Sequence, residues 1–95
     1  RVVLVGIPAA VQVCPVDALA YYPRQADLGD AARFDLDQPQ RVTRELAQEL
    51  GLEYLDLREA LRAAPECPYQ RENMHWTAAG HRLVAATVAQ ALSGE

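Results

Sequence analysis

The sequence predicts an α/β fold in which a parallel sheet is flanked by helices. Two short apolar runs, at 2–7 and 52–57, have the length and composition of strands. Amphipathic helical patterns follow them, at 39–50 and 77–92. Strands that alternate with helices are typical of parallel sheets joined by right-handed crossovers, and this order is therefore the basis of the predicted fold class.

The first strand is expected over Val2–Ile7, an apolar run that is broken only by Gly6 and ends at Pro8. Because it is apolar on both faces, it suits a strand covered by helices on both sides. The next segment is ambiguous, since Val16–Tyr22 also fits a short helix. Arg24–Asp37 has little periodicity and several acidic residues, which indicates a surface excursion.

The middle of the chain contains the clearest helical pattern outside the C-terminal region. Pro39 fits the first helical position, where its missing N–H costs nothing. Val42, Leu46 and Leu50 then repeat every four residues, and Gly51 fits the C-terminal cap.

The second strand is expected over Leu52–Leu57 and leads into a short helix. Asp56 can cap this helix, and Glu59 three residues later completes a pattern similar to a capping box. The predicted apolar face of the short helix consists of Leu57, Ala60, Leu61 and Ala64. Pro65 stops it, and the loop that follows runs to His75.

The last helix is predicted to begin after Thr77, whose hydroxyl can accept a hydrogen bond from a free N–H of the first turn. Its apolar stripe consists of Leu83, Val84, Val88, Ala91 and Leu92, and Gly94 lies just past its end. His75 therefore lies on a loop that a helix positions, which is a common place for a catalytic side chain. The carboxyl ends of parallel strands share one rim, so Pro8–Val13, Asp56 and the loop 65–75 are expected to meet there.

The block from His75 to His81 resembles the last motif of the SGNH (GDSL-like) hydrolases. In that family a His followed by two polar or small residues, then Ala-x-Gly-His and an apolar helix, closes the domain; here the corresponding residues are Ala78, Gly80 and His81. The resemblance implies a flavodoxin-like three-layer fold, of which residues 1–95 would form a single partial domain at the C-terminal end. It also implies a serine esterase or acyl hydrolase in which His75 is the general base.

The nucleophile of such an enzyme is not expected in this chain. There is no Gly-Asp-Ser block, and Ser93, the only serine, lies in the C-terminal tail. The chain begins without Met and with strand-like sequence, which suggests a segment of a longer protein. We therefore expect the serine to lie outside the chain, and the isolated chain to be inactive.

Two residues are candidates for orienting the His75 ring. A carboxylate in this role fixes the imidazole tautomer and stabilises the imidazolium. The family places an Asp two or three residues before the His, and here those positions hold Asn73 and Glu72. Glu72 would act through a longer arm, Asn73 would orient the ring without charge, and a backbone carbonyl remains a further alternative.

Other side chains near the motif have structural interpretations beside functional ones. His81 is expected to be structural, with its ring hydrogen-bonded to the preceding loop. Gly80 would allow the helix to approach the sheet closely. Tyr21, Tyr22 and Tyr69 could line an acyl or sugar pocket, although half-buried tyrosines are common without function.

Composition limits the classes of partner. The chain has 95 residues and a net charge of −4, and its nine basic residues are scattered, which argues against binding of nucleic acid. No apolar run approaches the roughly 18 residues of a membrane span. No metal or cofactor is implied. Expected partners are an ester or acylated carbohydrate substrate and the remainder of the parent domain, with self-association of the isolated chain.

The sequence leaves two questions open. Cys14 and Cys67 each precede a proline and could form a disulfide or remain free thiols, and the compartment is undetermined, with an extracytoplasmic one possible. The alternative function is a non-catalytic α/β module that binds carbohydrate or a partner protein.

Overall fold

The computed structural model describes residues 1–23, 25 and 27–93. In these ranges the chain forms two strands, β1 (Val3–Gly6) and β2 (Glu53–Asp56), and three α-helices, α1 (Gln38–Leu50), α2 (Arg58–Arg62) and α3 (Ala78–Leu92). Two single turns of 3₁₀-helix, Ala10–Gln12 and Val16–Ala18, lie between β1 and α1, and the second of them falls within Val16–Tyr22, where a short helix was one interpretation of the sequence.

The two strands form the predicted parallel pair. Val3 lies opposite Glu53 and Gly6 opposite Asp56, so that both strands end at the same edge of the sheet. Helix α1 lies in the connection between them, packs against both strands, and buries Ala47 completely. The α/β class and the parallel pairing predicted from the order of elements are therefore confirmed.

The ends of α1 follow the predicted chemistry with one shift. The helix begins at Gln38, so Pro39 occupies the second helical position and not the first. The reason that Pro is tolerated is unchanged, because the N–H groups of the first turn have no acceptor within the helix. Gly51 is the C-cap in a left-handed conformation with φ of 68°, as predicted.

The expectation that β1 is covered on both sides is wrong for the described part of the chain. Val5 retains 41% of its surface, and Val42, Leu46 and Leu50 on α1 retain 53%, 48% and 61%. The described sheet has two strands and is therefore narrow. It cannot cover the apolar side of α1 along all 13 residues of that helix, and α1 covers one face of the sheet at most. Apolar side chains that the sequence pattern predicts to be buried therefore lie at the surface.

The core lies between α2, α3 and the segment that follows β1. Leu57 and Leu61 are almost fully buried, which confirms the predicted apolar face of α2. Ala10, Leu19, Tyr69 and the Cys14 half-cystine complete the buried cluster, and Leu83, Val84 and Val88 of α3 pack against it. Cys14 and Cys67 form a disulfide, with a Cα–Cα distance of 5.6 Å, which settles the question that the sequence left open.

Asp56 caps α2 from one residue further out than predicted. Leu57 is the N-cap, but the backbone N–H of Arg58 donates to Asp56 Oδ1 at 3.0 Å. The Arg58 guanidinium also pairs with this carboxylate at 2.7 Å, and Arg44 approaches at 3.4 Å. Burial acts to raise the pKa of Asp56, but the hydrogen bonds and charge of Arg58 outweigh it, and the pKa is lowered.

Two buried amides join α1 to the segment after β1. Gln40 Nε2 donates to Gln12 Oε1 at 3.0 Å, and Gln12 Nε2 donates to Gln40 Oε1 at 2.6 Å and to the carbonyl of Leu36. The backbone N–H of Ala9 also donates to Gln12 Oε1, at 2.8 Å. This pairing satisfies polar groups that would otherwise be costly to bury.

The predicted surface excursion is confirmed where the structure describes it. Described residues between 25 and 37 are exposed or half-buried, whereas Arg24 and Ala26 lie outside the described residues. Gly94, expected just past the end of α3, also lies outside them. Across the described ranges, no helix is both long enough and apolar enough to cross a bilayer.

Candidate active site

His75 lies in a short antiparallel hairpin formed by residues 68–77, here called the His75 hairpin. Tyr69 and Trp76 face each other in an antiparallel bridge. The N–H of Gln70 donates to the carbonyl of His75 at 2.8 Å, and the N–H of Thr77 donates to the carbonyl of Pro68 at 2.8 Å. These hydrogen bonds fix the backbone on both sides of the loop and therefore fix the position of His75.

One side of the His75 hairpin rests on the start of α3. Thr77 is the N-cap, as predicted, and its hydroxyl accepts from the N–H of Gly80 at 3.0 Å. A Cβ at Gly80 would lie 2.4 Å from the carbonyl oxygen of Pro68. The glycine thus allows α3 to approach the hairpin, and the prediction that it allows approach to the sheet is corrected.

Replacing Gly80 by alanine is expected to lower the free energy of unfolding by about 1–3 kcal/mol, because a rigid carbonyl occupies the space of the new methyl group. The measurement is urea unfolding, together with hydrogen exchange of the Gln70 and Thr77 amides, which should speed up. Gly29→Ala is the matched control, since its Cβ would meet only the Asp27 side chain, at 3.3 Å. Equal stability of the two variants would contradict the packing argument.

The other side of the His75 hairpin is joined to the segment after β1. The N–H of Ala20 donates to the carbonyl of Arg71 at 2.8 Å, and the Arg71 guanidinium donates to the carbonyl of Asp17 at 3.1 Å. The hydroxyl of Tyr69 donates to the carbonyl of Pro8, and the disulfide of Cys67 adds a covalent link. The predicted meeting of 8–13 with the loop 65–75 is thus observed.

Asp56 does not lie beside residues 8–13 and the loop 65–75. Its carboxylate lies in a separate, charged cavity that Arg44, Arg58, Arg62 and Asp37 also line. The rim predicted from the strand ends is therefore divided into two regions, of which one contains His75 and the other contains Asp56 and its arginine partners.

A cavity of about 380 Å³ lies between the His75 hairpin and the segment after β1. Its lining is largely apolar and includes Tyr21, Tyr22 and Tyr69, for which the sequence left a place in a pocket as one of two interpretations, together with His75 and Met74. Burial raises the pKa of Tyr69 and of Tyr21 above the usual value of a phenol. The arrangement places a basic ring at the wall of a cavity with an apolar lining.

The His75 ring is exposed and reaches Asn73. Its Nδ1 lies 3.0 Å from Asn73 Oδ1, and the backbone N–H of His75 donates to the same oxygen at 2.9 Å. Among the described residues, no group makes a hydrogen bond to Nε2. The ring is thus oriented through one nitrogen, while the other is available to solvent or to a reacting group.

This geometry distinguishes between the two residues that are candidates for orienting the His75 ring. Asn73 is half-buried and contacts the imidazole. Glu72 is exposed, and within residues 1–23, 25 and 27–93 it makes no hydrogen bond or ion pair. An amide therefore stands where the resemblance led us to expect a carboxylate.

His81 has a structural contact, but not the predicted one. Its ring is exposed and meets Trp76 in an edge-to-face arrangement, with ring centroids 5.3 Å apart and planes at 87°. The reason is its place in the second turn of α3, beside the last residues of the His75 hairpin. An aromatic contact thus takes the place of the predicted hydrogen bond to the loop.

Ser93 cannot serve as a nucleophile for His75. It is the C-cap of α3, and the 15 residues of that helix separate it from the hairpin by roughly 22 Å. Its hydroxyl donates to the carbonyl of Gln90 at 2.9 Å.

One residue of the site was missed from sequence. Gln70 accepts a hydrogen bond from Asn73 Nδ2 at 3.0 Å and donates from Nε2 to the carbonyl of Trp76 at 3.2 Å. No motif marks it, since its role depends on the antiparallel return of the chain. A metal centre is not indicated, because the described residues contain no group of three or more His, Cys, Asp or Glu side chains that could hold an ion.

Comparison with known proteins identifies a family for the chain. A family model described as "SGNH hydrolase-like domain, acetyltransferase AlgX" matches residues 5–95, which include α1, β2, the His75 hairpin and α3. No curated protein and no solved structure shows significant similarity to the chain. The match spans nearly the whole sequence, and the chain therefore belongs to the SGNH hydrolase-like domain family.

Proposed function

We propose that this chain supplies the general base of a serine-dependent acyl-transfer site, with His75 as the base and the serine outside the 95 residues. The observation that carries the proposal is the geometry of His75. Its ring is held through Nδ1 by Asn73, its Nε2 is unpaired among the described residues, and it lines an apolar cavity.

The chemistry follows from a neutral imidazole with a free Nε2. This nitrogen takes the proton of the serine hydroxyl while the serine oxygen attacks the acyl carbonyl. The imidazolium then gives the proton to the leaving alcohol, and an acyl-enzyme remains. In the second half, Nε2 takes a proton from water or from a carbohydrate hydroxyl while its oxygen attacks the acyl carbonyl; the bond from the acyl carbon to the serine oxygen then breaks, and the imidazolium returns the proton to that oxygen.

The family description and the cavity together support a short acyl group on a carbohydrate as the substrate. The description of the matched family model names an acetyltransferase, and acetyl is the shortest common acyl group. Aromatic side chains such as Tyr21 and Tyr22 suit the apolar faces of sugar rings, while their hydroxyls remain available for hydrogen bonds.

The remainder of the proposed domain would cover the apolar surface that this chain exposes. Val5 on β1 and Leu46 and Leu50 on α1 are the kind of side chains that a third layer or a further strand buries. The same surface supports self-association of the isolated chain, because exposed apolar patches and open sheet edges favour it.

A second candidate function is supported by Asn73. Since an amide stands in place of the carboxylate, the imidazolium would lack a charged partner, and this favours a non-catalytic module that binds carbohydrate or a protein.

A serine-reactive fluorophosphonate probe separates the two candidates. In the full-length protein that contains this segment, we expect labelling of one serine, mapped by mass spectrometry to a position outside residues 1–95. Ser93→Ala is the matched control and should label like the wild type. A folded full-length protein that takes up no probe would contradict the acyl-transfer proposal and favour the binding module.

A further inference from the structure

We infer that Gln70 is a positioning residue that acts through Asn73 to hold His75 in the tautomer with its proton on Nδ1. This inference rests on the proposed function, because it concerns how the base is prepared for its task. It names a residue that lies outside the motif from His75 to His81.

The hydrogen bonds at His75 identify which atom of the Asn73 amide faces the ring. A backbone N–H can only donate, so the Asn73 side-chain atom 2.9 Å from the His75 nitrogen is an oxygen that accepts. His75 Nδ1 lies 3.0 Å from the same oxygen and must carry a proton to form a hydrogen bond with it. The neutral ring then has its lone pair on Nε2, as a general base requires.

The Gln70 amide is oriented in the same way by the carbonyl of Trp76. The carbonyl of Trp76 can only accept, so the Gln70 atom 3.2 Å away is the amide nitrogen. Gln70 Oε1 therefore faces Asn73 and accepts from its Nδ2 at 3.0 Å. Both amide orientations are thus determined by backbone groups of the His75 hairpin, and neither can flip without losing hydrogen bonds at both of its ends.

Gln70 matters because the Asn73 amide has two possible orientations. A flipped Asn73 would present its Nδ2 donors to His75, and the ring would then favour the proton on Nε2, which removes the lone pair needed for catalysis. A carboxylate has two acceptor oxygens and needs no such control. An amide in this place does need it: the backbone N–H of His75 holds Asn73 Oδ1, and Gln70 is the described side chain that holds the other end of the amide through Nδ2.

The test reads the tautomer directly by two-bond ¹H–¹⁵N correlation of labelled histidine in the full-length protein at alkaline pH. His75→Gln identifies the His75 signal. We expect the wild type to show the proton on Nδ1. Gln70→Leu should shift the ring toward the Nε2–H tautomer and lower kcat by about three- to tenfold with little change in KM, as expected for the loss of one neutral hydrogen bond.

Two further variants separate positioning from a general structural effect. Gln70→Glu keeps an oxygen for Asn73 Nδ2 but loses the donor to Trp76, and it should retain the Nδ1–H tautomer. Gln48→Leu makes the same change as Gln70→Leu on the exposed surface of α1 and should alter neither the tautomer nor kcat.

The inference would be overturned by a wild type with the proton on Nε2, or by an unchanged tautomer in Gln70→Leu. These results are independent of the acyl-transfer proposal. If the full-length protein takes up no fluorophosphonate but Gln70→Leu still changes the tautomer, the role of Gln70 is supported and the proposed catalytic function fails.

Discussion

His75→Ala is expected to lower kcat of the full-length protein by about 10³-fold or more. General acid–base catalysis contributes typically 10²–10⁴-fold, and a serine without its base is a weak nucleophile at neutral pH. The measurement is hydrolysis of a short-chain aryl ester, with kcat and KM determined separately. Because the ring is exposed, the free energy of unfolding should change by less than about 0.5 kcal/mol, so that lost activity does not reflect lost folding.

His81→Ala is the matched control for this experiment. Its ring lines the same cavity and contacts Trp76, but no described side chain orients it as Asn73 orients His75. We expect activity within about threefold of the wild type, the size of a modest packing change. Full activity in His75→Ala, or equal losses in both variants, would remove His75 from the proposed role.

Removal of the Cys14–Cys67 disulfide is expected to produce the largest loss of stability. The bond closes a loop with a sequence separation of 53 residues, and the chain-entropy relation gives about 4 kcal/mol for a loop of this size. Since domains are stable by roughly 5–15 kcal/mol, this is a large share for so short a chain. Urea unfolding of the double variant Cys14→Ala, Cys67→Ala against the wild type measures it.

A reductant provides the control. A thiol reductant should bring the wild type close to the stability of the double variant, while the double variant itself should not respond. A loss of less than about 1 kcal/mol, or an effect of reductant on the double variant, would show that the bond contributes little and that other contacts hold the His75 hairpin to the segment after β1.

Local sequence patterns were sufficient to predict the elements that depend on local chemistry. The caps at Gly51 and Thr77 follow from backbone conformation and from the hydroxyl of one residue, and both are observed as predicted. The parallel pairing of β1 with β2 follows from the order of strands and helices. The burial of Leu57 and Leu61 follows from helical spacing.

Features that depend on distant pairing could not be predicted. The buried amides of Gln12 and Gln40 are 28 residues apart, and neither has a sequence signal. The partner of His75 depended on which side chain of a loop turns toward the ring, and spacing alone did not distinguish Asn73 from Glu72. The exposure of Val42 on α1 was likewise invisible, because an apolar stripe does not reveal whether something covers it.

The disulfide has a geometric consequence for the cavity. Cys14 belongs to the segment that forms one wall, and Cys67 immediately precedes the hairpin that forms the other. Because the disulfide joins the two walls, they cannot move apart at that point, and the opening of the cavity cannot widen there. We therefore expect the width of the cavity to depend on the rotamers of side chains such as Tyr21 and Met74 in its lining.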